Sequence, residues 1–164
     1  MNNPGIVLTC LIALSACGQT AVPLPQSIPI QQVYAGVECG GSQVKPGIRL
    51  IRSSEQLGHL YKQLPLNAAV RSKLTKVDFN QSNLLKVNMG RQNTGGYWLK
   101  LASDHASINE DFLVIRVDWH TPPKGVMLTQ ALTSPCLFIK LPKAGFKGIR
   151  VLDQKDNDKL SARL

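Results

Sequence analysis

The first sixteen residues contain no Lys, Arg, Asp or Glu, so all of the +9 formal charge belongs to residues 17–164. No apolar run is long enough to span a bilayer as a helix. The best, Ile6 to Ala16, is eleven residues long, against the roughly twenty a helix needs, and so has the length of a signal-peptide core and not of an anchor. There is no dense Lys/Arg run and no basic stripe interleaved with aromatics; the cations are scattered from Lys45 to Arg163, which argues against nucleic acid as a partner. No Cys-x-x-Cys, cysteine-protease motif or nucleophile elbow is present, and no His spacing suits a metal. Neither a cofactor nor a metal is expected, and no internal repeat is visible. Hydrophobic residues make up 43% and charged residues 18%, an ordinary globular balance.

The N-terminal run ends in Leu14-Ser15-Ala16-Cys17, which resembles the bacterial lipobox. The resemblance implies a signal peptide over residues 1–16 and a diacylglycerol thioether on Cys17, completed by fatty acids such as palmitate. Several acyl chains on one residue make membrane attachment effectively permanent. An ordinary secretory signal with an incidental Cys17 is the alternative. Gly18 is not acidic, so by similarity to enterobacterial sorting the expected location is the outer membrane, facing the periplasm. Ala21 to Gln31 carries three prolines and no charge and reads as an extended, polyproline-like tether. Residues 17–31 are therefore expected to be a lipidated tether, and residues 32–164 a single β-rich domain.

Cys10 leaves with the signal peptide and Cys17 is taken by lipid, so Cys39 and Cys136 remain. Two thiols in an oxidising compartment usually pair, and a disulfide is expected between them.

Ser53 and Ser54 are candidate N-caps, and Leu57, Leu60, Tyr61 and Leu64 recur at helical spacing before Pro65. Ala68 to Leu74 is a second short helix or an irregular crossing. Short β-type runs come next at Leu84–Met89, Tyr97–Leu101, Phe112–Trp119, Cys136–Leu141 and Gly148–Leu152, after an earlier one at Ile48–Ile51. Turn residues at 95–96, 104–109, 122–125 and 142–145 separate them. The expected class is α+β, a predominantly antiparallel sandwich- or half-barrel-like sheet with one or two short helices.

Asp78-Phe79, then Met89-Gly90-Arg91-Gln92-Asn93-Thr94-Gly95-Gly96-Tyr97, then Thr129-Gln130-Ala131-Leu132-Thr133-Ser134-Pro135, resemble the C-terminal domain of the PrcB family, named for a protease-complex subunit, over roughly Gln32 to Asp153. The resemblance implies a secreted or lipid-anchored accessory protein and does not imply catalysis. Cys136 departs from the pattern, since members often carry an aromatic after Ser-Pro, and this fits a disulfide private to this chain.

Physically, Thr94-Gly95-Gly96 between two strands suits a tight hairpin, because glycine takes positive φ and lets other backbone approach. The candidate binding loop is Gly90, Arg91, Asn93, Thr94, Gly95, Gly96 and Tyr97; the bland reading is that these residues only build the hairpin. Asp118 and His120, two apart on a strand, form with Ser134 a weak candidate triad. His59 reads as solvated and His105 as a turn residue. Three readings result: a non-enzymatic envelope lipoprotein that binds or stabilises another protein, such as a protease; a protease-inhibitor-like module, to which the glycine turn is similar in chagasin-like inhibitors; and a domain binding cell-wall polymer or anionic lipid through its basic surface.

Overall fold

The computed structural model describes residues 26–39, 45–64 and 66–164. The expected signal peptide, Cys17 and the first part of the expected tether lie outside them. Twelve elements run in the order β1 (Gln26–Pro29), β2 (Gln31–Gly36), β3 (Gly47–Ile51), α1 (Ser54–Gln63), α2 (Ala68–Leu74), β4 (Ser82–Asn88), β5 (Trp98–Leu101), β6 (His105–Asn109), β7 (Phe112–His120), β8 (Cys136–Pro142), β9 (Gly148–Leu152) and β10 (Asp158–Arg163). The α+β class holds.

Two sheets form. One has the order β1-β6-β7-β9-β10, with β5 added on β7; the other has the order β2-β8-β4-β3. Alternation sends Leu85 and Val87 of β4, with Leu137, Ile139 and Leu141 of β8, toward Leu113, Ile115, Val117, Ile149 and Val151 of the first sheet, and this closes the inter-sheet core. The other face of β4 and β8 presents Leu84, Cys136 and Phe138 to the two helices. Burying one face of a helix stripe there forms a third layer. Ser53 caps α1 by accepting the Gln56 amide, and Leu57 and Leu60 bury its apolar face. Asn67 caps α2 in the same way through the Val70 amide, and Val70 and Leu74 are its buried residues, so the segment whose sequence fits either a helix or a crossing is a helix. Lys86 stands between Phe138 and Arg49 in the strand register; burial, then the Arg49 charge, push its pKa down to about 8.

Two sequence expectations need correcting. The tether does not extend as far as Gln31, because Gln26 to Pro29 pairs with β6 and both Ile28 and Ile30 are core residues. Only Ile30 separates β1 from β2, so one bent strand passes from the first sheet to the second. The turn expected over 104–109 is instead mostly strand β6, which starts at His105. The sheets are predominantly antiparallel, as the sequence leads one to expect, with β7 and β9 the one parallel pair among the described strands. Their crossover is β8 in the opposite sheet, which does the work a helix usually does.

The strand directions define two poles. Gly36, Cys136, Asn88 and Gly47 are neighbours across one end of the four-stranded sheet, the loop pole. Gln31 beside Lys140, and Ser82 beside Pro142, mark the other end, the entry pole. β1 is antiparallel to β6 and β6 to β7, so β1 runs with β7 toward the loop pole. The chain therefore enters the fold from the opposite end.

Candidate functional site

The loop pole gathers three connections: residues 37–39 after β2, residues 89–97 between β4 and β5, and residues 121–135 between β7 and β8. The glycine stretch is not the expected hairpin. β4 pairs with β3 and β8, whereas β5 pairs with β7, so residues 89–97 carry the chain from one sheet to the other. The glycines do mark a tight local path, but the strands they join belong to different sheets, because pairing is set by tertiary packing and not by the turn alone.

This crossing is zipped onto the 121–135 loop. The Gln92 and Thr133 amides each donate to the other residue's carbonyl, at 2.8 and 2.9 Å, and the Gly95 amide donates to the Thr129 carbonyl at 2.9 Å. The Thr133 hydroxyl donates to the Thr94 carbonyl at 3.0 Å. Gln92 Nε2 donates to the Met89 carbonyl at 3.0 Å, and the Met89 amide donates to the Pro135 carbonyl at 3.0 Å. Gly96 has φ +88°, and a Cβ there would sit 3.0 Å from Leu128 and 3.3 Å from Pro122. Glycine is needed because the two loops touch at that point. The Ser134 amide donates to the Val37 carbonyl at 2.7 Å, and the Cys39–Cys136 disulfide is formed beside it, its Cα atoms 5.4 Å apart.

The two motif stretches, Gly90–Tyr97 and Gln130–Pro135, thus form one unit. Asp78 and Phe79 do not join it. Asp78 accepts the Asn80 amide in the turn between α2 and β4, and Phe79 packs on the helix layer. Tyr97 packs against the inter-sheet core, while Arg91 and Asn93 are exposed.

The triad reading finds no support. Ser134 Oγ is buried and has no hydrogen-bond partner, so no imidazole activates it. The His120 ring instead stacks on Trp98 with centroids 4.8 Å apart. His59 is solvated, 3.8 Å from Glu55, and His105 bonds Asp104 at 2.8 Å. Among the described residues no group of His, Cys, Asp or Glu suits a metal, and no helix is long and apolar enough to cross a membrane.

What sequence reasoning missed is apolar exposure. Met127 is fully exposed (101%), Leu132 is 64% exposed, Val126 48%, Val37 46% and Trp98 40%. All but Leu164 of the exposed large apolar side chains among the described residues are on the loop pole. The signal was a fifteen-residue connection from Thr121 to Pro135, unusually long for a structureless loop and therefore a functional candidate. Solvated apolar side chains in such a loop are costly unless something covers them. Arg91 and Lys124, in the same two loops, are exposed.

No curated protein and no solved structure matches the chain. Residues 84–142 match the family model described as PrcB C-terminal, a span that runs from β4 to β8 and holds both zipped loops. The match covers 59 of the 164 residues, so what it identifies is a segment similar to the PrcB C-terminal model, with its two motif stretches joined at the loop pole.

Proposed function

We propose that this protein is a non-catalytic envelope lipoprotein, anchored through Cys17 in the outer membrane, that binds and stabilises another envelope protein through its loop pole. The PrcB match associates it with a protease complex, and a protease or its companion subunit is the proposed partner. The observation that carries the reading is the exposed Met127 and Leu132, held on a loop that hydrogen bonds and a disulfide make rigid. A preordered apolar loop loses little entropy on docking. An inhibitor-like module, inserting a free-standing glycine tip, is disfavoured because the 89–97 backbone is tied down by Thr129 and Thr133.

The test places a photo-crosslinking side chain at Met127 and, separately, at the exposed Asn109, at the β6–β7 turn on the entry pole. An envelope protease or its subunit is expected from Met127 alone. Recovery of the same proteins in equal yield from both positions refutes the loop pole as the docking surface. The anchor is tested by the mass of the N-terminal peptide from native membranes: a chain starting at an acylated Cys17 is expected, and one starting at Met1 without fatty acid refutes it.

A further inference from the structure

Charge is distributed unevenly over the molecule. On the first sheet and its turns four cations are paired: Arg116 with Asp156 at 2.7 Å, Lys147 with Asp111 at 2.8 Å, Arg150 with Asp158 at 2.5 Å and Lys159 with Asp153 at 3.2 Å. The helix side differs. From Gln56 to Ser103 the chain has a single acidic residue, Asp78, and its carboxylate is occupied with the Asn80 amide. On that side lies a groove of about 240 Å³ lined by Gln31, Gln32 and Val33 of β2, Lys73, Lys76 and Val77 at the end of α2, and Lys140 of β8. None of the ion pairs among the described residues involves Lys73, Lys76 or Lys140. Three lysines and Gln31 therefore line one cavity that contains no carboxylate, while the Gln32 carboxamide accepts the Leu101 amide of β5.

We propose that this groove holds the phosphate of an anionic phospholipid headgroup, so that the domain meets the bilayer that anchors it with the entry-pole end of its helix side. Ammonium and carboxamide N–H groups are the donors that phosphate oxygens accept, and three lysines supply point charges to match a phosphodiester. The apolar floor of Val33 and Val77 suits the glycerol backbone beyond it.

Chain length selects the lipid surface as the source of the phosphate, a step that rests on the lipid-anchor reading above. The fold begins at Gln26, nine residues after Cys17 and five before Gln31 of the groove. Nine residues reach no more than about 30 Å. The chain also enters from the pole where Gln31 and Lys140 pair, so the anchor and the groove share one end. The loop pole then faces away from the membrane, and Met127 and Leu132 are presented to partners.

The test uses the chain isolated from its native membrane and mixed with vesicles of phosphatidylcholine alone or of phosphatidylcholine with phosphatidylglycerol. The readouts are co-sedimentation and the acetylation rate of each lysine. The expected result is co-sedimentation with both vesicle types, with Lys73, Lys76 and Lys140 protected several-fold relative to Lys155 only where phosphatidylglycerol is present, and protection lost in high salt. The triple variant K73Q/K76Q/K140Q, whose substitutions are all at the surface, is expected to keep its Tm. Without its lipid anchor it loses on the order of 100-fold in affinity for the anionic vesicles. Binding to both vesicles with equal lysine reactivity overturns the groove and leaves the anchor standing. Binding only to the anionic vesicles, abolished in the triple variant, supports the groove and overturns the anchor. Binding to neither overturns both. Equal protection by inorganic phosphate without vesicles overturns the lipid assignment.

Discussion

Removing the Cys39–Cys136 disulfide tests how the loop pole is held. The bond joins the short segment after edge strand β2 to the first residue of the central strand β8 and closes a separation of 97 residues. In the chain-entropy account a loop of that length restricts the unfolded chain enough to stabilise the fold by about 4 to 5 kcal/mol. For a domain of this size each kcal/mol moves Tm by about 3 to 4 °C, so the C39A/C136A variant is expected to melt about 15 °C lower. Both sulfurs are buried, at 1% and 0% exposure, so reductant without denaturant acts slowly on the wild type. The assay is thermal unfolding by circular dichroism of the oxidised wild type, the double variant and each single variant. A second readout is hydrogen exchange at the Ser134 amide, which donates to the Val37 carbonyl and is expected to lose protection first. A fall in Tm below about 3 °C, or unchanged exchange at Ser134, refutes the reasoning that this bond pins residues 37–39 to the pole.

Gly96→Ala is expected to destabilise by about 1 to 3 kcal/mol, because φ is +88° and the new methyl meets Leu128 at 3.0 Å and Pro122 at 3.3 Å. Gly58→Ala, inside α1 with open space around it, is expected to stabilise by up to about 1 kcal/mol. Urea midpoints of the two variants check the opposite signs, and a shared sign contradicts the account. Burial alone would raise the Asp153 pKa, but the Asn157 amide and side chain, the Lys155 amide and Lys159 outweigh it and hold the carboxyl well below the usual range. A carboxyl depressed on folding stabilises above its unfolded pKa of about 4, and that stability is lost as pH falls below it. Wild-type Tm should therefore drop more steeply than that of Asp153→Asn below about pH 4; parallel pH profiles contradict the assignment.

Much of the fold was legible because it obeys local rules. The cap at Ser53 and the spacing of Leu57, Leu60 and Leu64 specify α1, and five apolar runs after residue 80 correspond to β4, β5, β7, β8 and β9. The strands that carry little sequence signal are those least apolar. β1 contains prolines nearby but is an edge strand, where a missing N–H costs no ladder bond. β10 is the opposite edge and alternates exposed polar with half-buried residues, as edges that must resist aggregation do. β6 is short and rich in turn-forming residues. The disulfide was legible by subtraction, since only two thiols remained to pair. The apolar loop pole was not, since Met127 and Leu132 look like core residues until the fold leaves them outside.

The family match covers β4 to β8 and excludes β1 to β3, both helices, β9 and β10, so it does not outline a folding unit. β8 is bordered by β2 on its far side, and β7 by β9; cutting at either boundary exposes a core ladder. What the matched segment does contain whole is the pair of zipped loops and four of the five exposed apolar side chains of the pole, all but Val37. Most of the groove lies outside it: of the three lysines only Lys140 falls within residues 84–142. The exposed apolar side chains of the pole thus lie mostly within the matched segment, while the groove is built largely from residues outside it. Because the two surfaces lie at different ends of a rigid sandwich, substitutions at Leu132 and at Lys73 are expected to act independently, since sites that far apart with no shared contacts add their effects. Coupling between them in a double variant would mean that the poles move with respect to each other, and that the sandwich is not the fixed spacer its continuous core implies.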